Sequence, residues 1–226
     1  GEVVGSKEVD DVNRGWFVGK DISAIWDHEF IGIWQEDEAE EAAKYGQQPG
    51  DAKVRDVNGD YKITQEDKVF LGQETPKFRW SFRNEFTLFR NWDISLNLYS
   101  QMGHKQSTTE YLNFFDNLGD YSNTYKREYW TPENKSNSYA RLKSTRPSNI
   151  NPKKVINKGF IRLENISVSY RVPQQFARKL MAKEISIYGT VRNVAVWAFD
   201  KEWDYWDPET KGLLPRTFTF GASITF

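Results

Sequence analysis

Hydrophobic and polar residues alternate strictly between Phe78 and Met102, which is typical of strands whose two faces meet different environments. The alternation predicts two strands, Phe78–Leu88 and Trp92–Met102, joined by the link Phe89-Arg90-Asn91. Strands of about eleven residues are longer than the roughly five or six usual in soluble domains. They match the length of a tilted strand that crosses a membrane. The polar face carries Arg79, Arg83 and Glu85, which we expect to face a wet lumen and to pair with one another.

Three more strands are predicted further along the chain, at residues 160–172, 184–193 and 217–226. The last has the clearest pattern, and its final Phe226 resembles the terminal segment that the outer-membrane assembly machinery recognises. Long polar stretches rich in aromatic residues separate the strands, at about 103–158 and 194–215. Such lengths are unusual inside a compact soluble domain but ordinary for extracellular barrel loops. The pattern therefore favours a membrane barrel over the edge of a soluble sandwich.

The region before residue 76 lacks the long alternating strands that are predicted for the rest of the chain. Residues 1–35 look like irregular β structure rich in Trp and Phe, and Glu36 to Tyr45 reads as a short helix that Gly46 ends. The helix carries its acidic residues in the first turns, where the helix dipole stabilises negative charge. The sequence opens without the basic start and apolar core of a signal peptide, so we expect that it begins within a longer protein.

Composition narrows the classes of function. A formal net charge of -1 argues against a nucleic-acid binder, and no stretch approaches the roughly 18 apolar residues of a transmembrane helix. Aromatic residues make up 15% of the chain, as barrel girdles or sugar-binding surfaces would require. Cysteine is absent, and His28 and His104 lie far apart in the sequence, so neither thiol chemistry nor a histidine-based metal site is expected.

An ordered set of short segments gives the chain its resemblance to a known family. In order and spacing it is similar, over roughly residues 25–226, to the C-terminal region of SusC/RagA-like TonB-dependent transporters. The segments are Phe30-Ile31-Gly32-Ile33-Trp34-Gln35, Pro49-Gly50-Asp51-Ala52-Lys53, Asp56-Val57-Asn58-Gly59-Asp60, Leu71-Gly72, Pro76-Lys77-Phe78, Phe160 to Ile166, Val191-Arg192-Asn193, Trp206-Asp207-Pro208-Glu209 and Phe220-Gly221-Ala222.

The resemblance implies an all-β protein, the C-terminal strands of an antiparallel transmembrane barrel of about 22 strands with a plugged lumen. It divides the chain into residues 1–75, an extracellular loop region, and residues 76–226, the barrel strands with long outer loops. It implies a bacterial outer-membrane importer, not an enzyme, that takes up oligosaccharides or peptides. The implied partners are the plug and N-terminal strands of the same protein, a SusD-like surface lipoprotein, the TonB complex and the lipid bilayer. The loops would face the cell exterior.

An acidic loop at residues 56–67 resembles a calcium-binding loop. Its oxygen ligands would come from Asp56, Asn58, Asp60, the Lys62 carbonyl, Thr64 and Asp67. Two positions depart from the pattern, because Tyr61 stands where a sharp turn favours Gly and Asp67 stands where a longer Glu is usual. The alternative is a loop without an ion, closed by Asp and Asn side chains that bind their own backbone.

Aromatic residues in the predicted outer loop are candidates for substrate binding. Flat rings suit stacking on sugars, and the candidate residues are Trp197, Trp203, Tyr205 and Trp206. The alternative for these side chains, and for Tyr111, Phe114, Phe115 and Tyr121, is packing against the barrel rim or a partner. Paired acids such as Glu202 and Asp204 carry little weight for glycosidase chemistry in a chain with 32 acidic residues.

Two other functions stay open at this point. The first is a secreted β-sandwich module that binds carbohydrate through aromatic residues and one calcium ion, and the second is a glycan-acting enzyme. The environment of Leu96 separates the sandwich from the barrel, because a sandwich would bury its apolar strand faces against a second sheet. A barrel would instead expose them to lipid.

Overall fold

A computed structural model of the chain describes residues 2–4, 7–108, 128–203 and 206–226. These residues form two compact units, which are residues 1–75 with 105–156 and residues 76–104 with 157–226. The predicted division of the chain after residue 75 stays a prediction, and the contacts group residues 105–156 with residues 1–75. The physical reason lies in the contacts of the first unit, where Ile33, Trp130 and Ala140 form one buried cluster.

The described elements are mostly β-strands, which confirms the all-β prediction. In chain order the strands are β1 (Glu2–Val4), β2 (Lys7–Val9), β3 (Ala24–His28), β4 (Phe30–Ile33), β5 (Ala52–Val54), β6 (Lys68–Gln73), β7 (Phe78–Leu88), β8 (Trp92–Met102), β9 (Lys105–Thr108), β10 (Lys154–Asn157), β11 (Phe160–Arg171), β12 (Glu184–Ala198) and β13 (Thr217–Thr225). The helices are α1 (Ala39–Lys44) and α2 (Gln174–Ala177), with 3₁₀ turns at Glu36–Glu38, Gln65–Asp67, Pro147–Asn149, Arg178–Leu180 and Lys201–Trp203. None of the described helices is long and apolar enough to cross a membrane.

The first unit contains the small antiparallel pairs β3–β6 and β4–β5, together with the pair β9–β10. Its residues 128–156 are tied to the earlier segments by partly buried polar contacts. The Trp130 indole Nε1 donates to Gln35 Oε1 at 3.0 Å, and Arg141 Nε donates to Asp51 Oδ1 at 2.9 Å. Because the Asp51 side chain is fully buried, this ion pair fixes the later segment against the turn before β5.

The second unit is one antiparallel sheet of five strands in the order β13-β12-β11-β8-β7. The bounds of β7 and β8 are those predicted, whereas β12 runs five residues beyond its predicted end at Asn193. A bulge between Leu163 and Asn165, opposite Asn193 with φ of 53°, shifts the register, and the strands continue to pair past this point. Trp197 therefore lies in a strand and not in the loop to which it was assigned.

Register separates the side chains of this sheet into two faces. We call the first the apolar face, and its large or apolar members include Phe78, Trp80, Phe82, Phe86, Leu88, Trp92, Ile94, Leu96, Leu98, Met102, Ile161, Leu163, Ile166, Val168, Tyr170, Ile185, Ile187, Val191, Ala195, Trp197, Phe218, Phe220, Ala222 and Ile224. The register places two polar residues, Asn84 and Ser100, on the same face. The polar face carries Arg79, Arg83, Glu85, Asp93, Ser95, Asn97, Tyr99, Gln101, Arg162, Asn165, Ser167, Ser169, Thr190, Arg192, Thr217 and Thr219.

The two ends of the sheet differ in their connections. At one end β7 and β8 are joined by a turn at Phe89 and Arg90, both in the left-handed region with φ of 49° and 64°. The link from β11 to β12 at the same end is the compact segment 172–183. At the other end the connections are long, because residues 103–159 separate β8 from β11 and residues 199–216 separate β12 from β13.

Candidate functional site

The acidic loop is closed by hydrogen bonds from its own backbone. The Asp56 carboxylate accepts the Gly59 N–H at 2.7 Å through Oδ1 and the Tyr61 N–H at 3.0 Å through Oδ2. The fully buried Asp67 accepts the Val57 N–H at 2.9 Å and the Thr64 N–H at 2.7 Å on its two oxygens. The two aspartates therefore hold both ends of the loop.

The remaining predicted metal ligands have similar local roles. Asn58 Oδ1 accepts the Asp60 N–H at 3.1 Å, and Asp60 Oδ1 accepts the Lys62 N–H at 2.8 Å. The Thr64 hydroxyl accepts the Glu66 N–H at 3.2 Å. Among the residues that the structure describes, no three His, Cys, Asp or Glu side chains are grouped so that they could hold a metal ion. A calcium ion in this loop stays a prediction, and the observed contacts are those of a self-capped turn.

Tyr61 adopts the backbone conformation that the turn requires although it is not a glycine. Its φ is 62°, in the left-handed region that costs a non-glycine residue about 1–2 kcal/mol. Side-chain contacts offset this cost, since the ring lies 5.5 Å from that of Tyr45 and the Lys44 Nζ lies 4.8 Å from its centroid. The sixth position of the loop therefore keeps its sharp turn without the usual residue.

Charge and burial at this loop shift two pKa values. Burial raises the pKa of Asp56, but the hydrogen bonds from the Gly59 and Tyr61 amides and from the Tyr45 hydroxyl outweigh it, so the pKa lies below its ordinary value. Burial, followed by the hydrogen bond to Asp56, raises the pKa of Tyr45 to about 12. The Tyr45 hydroxyl lies 3.1 Å from Asp56 Oδ2 and stays protonated.

The aromatic residues predicted to bind substrate are not gathered by the structure on one described surface. Trp197 pairs with Ile161 across β12 and β11 and lies on the apolar face. Trp203 is buried, and its indole Nε1 donates to the Asn157 carbonyl at 2.8 Å. Trp206 is exposed, while Tyr205 lies outside the described residues. Substrate binding by these four residues stays a prediction. Asp204 and the aromatic residues of the segment 109–127 also lie outside the described residues.

A buried charged network on the polar face was missed by the sequence reasoning. The Arg162 side chain in β11 is 3% exposed, and its Nη2 donates to Asp207 Oδ2 at 2.6 Å. Glu209 lies near the same nitrogen and accepts the Tyr99 hydroxyl at 2.5 Å and the Gln101 Nε2 at 3.0 Å. One arginine of the sheet therefore holds two acids of the loop 199–216 against the polar face.

The geometry around Asp207 gives this loop a defined turn. Asp207 Oδ1 accepts the N–H groups of Glu209 and Thr210, each at 3.0 Å, and the Asp207 N–H donates to the Gly212 carbonyl at 2.9 Å. The Arg162 guanidinium lies over the Phe160 ring at 5.2 Å, and its Nε has no hydrogen-bond partner among the described atoms. A signal for this site was available in the sequence, because Arg162 stands between two large apolar residues within a predicted strand.

Two grooves run along the polar face beside this network. The larger has a volume of about 400 Å³ and is lined by Arg79, Trp80, Ser81, Asn97, Tyr99, Ser100, Gln101 and Glu164. The smaller has about 230 Å³ and is lined by Arg83, Ser95, Leu96, Asn97, Asn165, Ser167, Thr190 and Arg192. The predicted pairing of Arg83 with Glu85 is confirmed, at 2.6 Å between Nη2 and Oε1. Both grooves offer many hydrogen-bond donors and acceptors, which suits a polar ligand or a polar protein surface.

Comparison with known proteins gives consistent results, although no family model matches the chain. TonB-dependent receptor P26 of Formosa agariphila is 25% identical over 234 residues, which cover 95% of this chain and 24% of the relative. TonB-dependent receptor P3 of the same organism is 23% identical over 227 residues, covering 92% of this chain and 22% of the relative. The chain thus spans about a quarter of the length of these relatives.

Solved structures share the fold. The RagAB peptide importer in its open-open state aligns over 90% of this chain and 22% of that chain, with a TM-score of 0.60 and 15% identity. The closed-closed state gives a TM-score of 0.58 with 16% identity, covering 90% of this chain and 23% of that chain. Together with the two receptors, these structures confirm the resemblance to a segment of SusC/RagA-like TonB-dependent transporters.

Proposed function

We propose that the five-stranded sheet forms part of the wall of an outer-membrane importer of the TonB-dependent type, with its apolar face against lipid and its polar face toward the lumen. The observation that carries the proposal is the apolar face itself. Phe82, Ile187 and Phe218 on this face are 51%, 53% and 59% exposed. A soluble protein seldom exposes so large a continuous apolar surface.

Strand dimensions agree with this role. A strand of 11 residues such as β8 is about 36 Å long at a rise of about 3.3 Å per residue. Tilted by about 45°, it spans roughly 25 Å, which is the height of the apolar band of outer-membrane barrels. The strands of a soluble sandwich are shorter, and their apolar faces pack against a second sheet. Among the described strands, the remaining sheets have two strands each, too small to cover five.

The lengths of the links between the strands indicate which end of the sheet faces the periplasm and which faces the cell exterior. Outer-membrane barrels have short turns on the periplasmic side and long loops outside the cell. By this rule the end with the Phe89–Asn91 turn faces the periplasm, and the segments 103–159 and 199–216 leave from the exterior end. The loop that Arg162 holds through Asp207 would then lie at the exterior mouth of the lumen. A fixed loop at this position would narrow the entrance and present Glu209 to it.

The remaining components of the proposed importer would be other parts of the same protein and separate partner proteins. Edge strands β7 and β13 would continue into a closed barrel of about 22 strands, in which the polar face meets a plug. A SusD-like surface lipoprotein and the TonB complex are the proposed partners. Oligosaccharides or peptides are the proposed cargo, and the similarity to the RagAB peptide importer supports peptides. The chain supplies wall and vestibule and no catalysis.

Charge substitution at two depths of the apolar face, with a control on the polar face, tests the placement of the apolar face. In the full-length importer, Leu96→Arg is expected to cost about 2–4 kcal/mol of folding free energy, since Leu96 lies near the middle of the band. Leu88→Arg, at the turn end of the same face, should cost about 0–1 kcal/mol. Ser95→Arg is the matched control, because Ser95 neighbours Leu96 in β8 but lies on the polar face.

The measurement is urea-induced unfolding of each variant in lipid vesicles. Equal losses for Leu96→Arg and Ser95→Arg would contradict the proposal, because the two faces would then meet the same environment. A chain that folds without detergent or lipid and buries Leu96 would favour the secreted sandwich that binds carbohydrate.

A further inference from the structure

The segment between β11 and β12 folds back onto the apolar face at its turn end. Ala177 at the end of α2 and Ala182 are buried against Ile185, and Val172 packs on the same cluster. Register places Ile185 on the apolar face, opposite Ile224 of β13. The Val172 N–H donates to the Ile185 carbonyl at 2.9 Å, which closes the base of the segment. The short helix therefore packs on the apolar face at the turn end of the sheet.

The opposite side of this segment is apolar and exposed. Phe176, Leu180 and Met181 are 50%, 65% and 87% exposed. The neighbouring turn between β7 and β8 adds Phe89, because the Arg171 N–H donates to the Asn91 carbonyl at 2.8 Å and thereby joins the turn to the start of the segment. This arrangement extends the apolar face beyond the ends of the strands, with large side chains that no described residue covers.

Cations surround these exposed apolar side chains. Arg178 and Lys179 follow α2 directly, and the Lys179 Nζ lies 5.6 Å from the centroid of the Phe176 ring. Lys183 precedes β12, and Arg90 lies in the adjacent turn. The carboxylates at this end are Glu184 and Asp93, and Asp93 is already paired with Arg171 at 3.2 Å. The described residues at this end thus carry more positive than negative charge.

We propose that residues 174–183, together with Phe89 and Arg90, form an interfacial segment that inserts into the headgroup layer of anionic phospholipids on the turn side of the membrane. The inference rests on the proposed function, because it requires the apolar face to meet lipid. Exposed Phe, Leu and Met beside Lys and Arg are typical of helices that lie in the plane of a membrane interface. Long basic side chains reach the headgroups while their stems stay in apolar surroundings.

Charge and continuity favour lipid over a protein partner. The exposed residues continue directly from the apolar face, with Val172 and Ile185 as the shared base. The surplus of cations complements phosphate groups, and basic residues near an anionic leaflet are attracted to it. The segment would therefore fix the depth of the sheet in the membrane, because α2 would lie in the headgroup layer at the turn end.

Fluorescence of a probe at position 180 tests the proposal in the full-length importer. Leu180→Cys, in a background without other cysteines, is labelled with an environment-sensitive dye and reconstituted in phosphatidylcholine vesicles, with or without an equal part of phosphatidylglycerol. Leu213→Cys is the matched control, since Leu213 is 83% exposed in the loop 199–216. Leu96→Cys reports the middle of the apolar face. Lipids that carry a nitroxide near the headgroup are expected to quench the probe at 180 severalfold more than the probe at 213.

Each outcome has a distinct meaning. Quenching at 96 by nitroxides in the acyl chains, without headgroup quenching at 180 beyond that at 213, would overturn this inference and leave the proposed function standing. Absence of quenching at both 96 and 180 would overturn both. A blue-shifted probe at 180 that nitroxide lipids do not quench would mean that protein covers the segment, which also overturns it.

A charge-reversal variant tests the anionic partner. Phosphatidylglycerol is expected to increase quenching at 180, and the double change Lys179→Glu with Lys183→Glu is expected to remove that increase. The change leaves the buried cluster of Ala177 and Ile185 intact, so loss of folding is not expected. Equal quenching with and without phosphatidylglycerol in the parent protein would overturn the assignment of anionic lipid.

Discussion

Replacement of Asp207 by Asn is expected to destabilise the second unit by about 3 kcal/mol, because it leaves a buried guanidinium without its nearest carboxylate. The Arg162 and Asp207 side chains are 3% and 5% exposed, so water cannot replace the lost partner. Removing one member of a buried ion pair usually costs about 3–5 kcal/mol. The lower end applies here because Glu209 Oε2 lies 3.4 Å from the same Arg162 nitrogen and can take over part of the charge.

The substitution isolates the charge from the turn geometry. An Asn side chain keeps the Oδ1 that accepts the Glu209 and Thr210 N–H groups, so the local turn should persist. Asp200→Asn is the matched control. Asp200 lies in the same loop and also accepts backbone N–H groups, from Asn157 and Glu202 at 3.1 Å each. It has no described cation partner, and its substitution is expected to cost less than about 1 kcal/mol.

The assay is equilibrium unfolding of the full-length protein in urea, with the fluorescence of tryptophan as the signal. A second variant, Arg162→Met with Asp207→Asn, removes both charges and keeps the Oδ1 that caps the turn. It should recover most of the lost stability, because it leaves no uncompensated buried ion. A loss for Asp207→Asn no larger than that for Asp200→Asn would refute the reasoning. The pair of Arg162 and Asp207 would then contribute little to the free energy of unfolding.

Two further predictions concern the acidic loop. Calcium is expected to raise the thermal unfolding temperature of the protein, and Asp56→Asn or Asp67→Asn to abolish the rise in scanning calorimetry. An unfolding temperature that is the same with calcium and with a chelator would mean that the loop is closed by its own hydrogen bonds alone. The Tyr45 phenol should ionise near pH 12, because burial and the hydrogen bond to Asp56 raise its pKa. Its stabilising contribution is fully present below the ordinary tyrosine pKa of about 10 and is lost as the pH rises through the higher value. Absorbance titration against Tyr45→Phe measures it, and a pKa at the ordinary value would contradict the observed contact.

Alternation predicted β7 and β8 to the residue because their side chains are apolar on one face and polar on the other at all but a few positions, such as Asn84 and Ser100. The end of β12 escaped prediction because Asn193, with φ of 53°, resembles a turn in sequence but forms part of a bulge in the structure. The run Val194-Ala195-Val196-Trp197 has no alternation in hydrophobicity that would mark it as a strand with two different faces. These residues favour a strand by their intrinsic propensity, but they lack the two-residue alternation on which the prediction relied.

Contacts between residues that are far apart in the sequence could not be predicted either. Arg162 and Asp207 are 45 residues apart, and Arg141 and Asp51 are 90 residues apart. A single sequence shows the charges but not which of its 31 cations and 32 acids meet. For the same reason the membership of residues 128–156 in the first unit could not be read from the sequence, since it depends on Trp130 and Ala140 packing against Ile33. The acidic loop was located by spacing, whereas its hydrogen bonds depend on the backbone turn at Tyr61.

We propose that the five-stranded sheet is a membrane wall with lipid on one side only. It is tested most directly by spin labels placed one at a time from Ile94 to Tyr99 along β8 of the full-length importer in lipid vesicles. Labels at 94, 96 and 98 are expected to collide with oxygen dissolved in lipid, while labels at 95, 97 and 99 are expected to collide with a nickel complex in water or to be shielded by protein. Uniform accessibility along the strand, or water contact at 96, would contradict it.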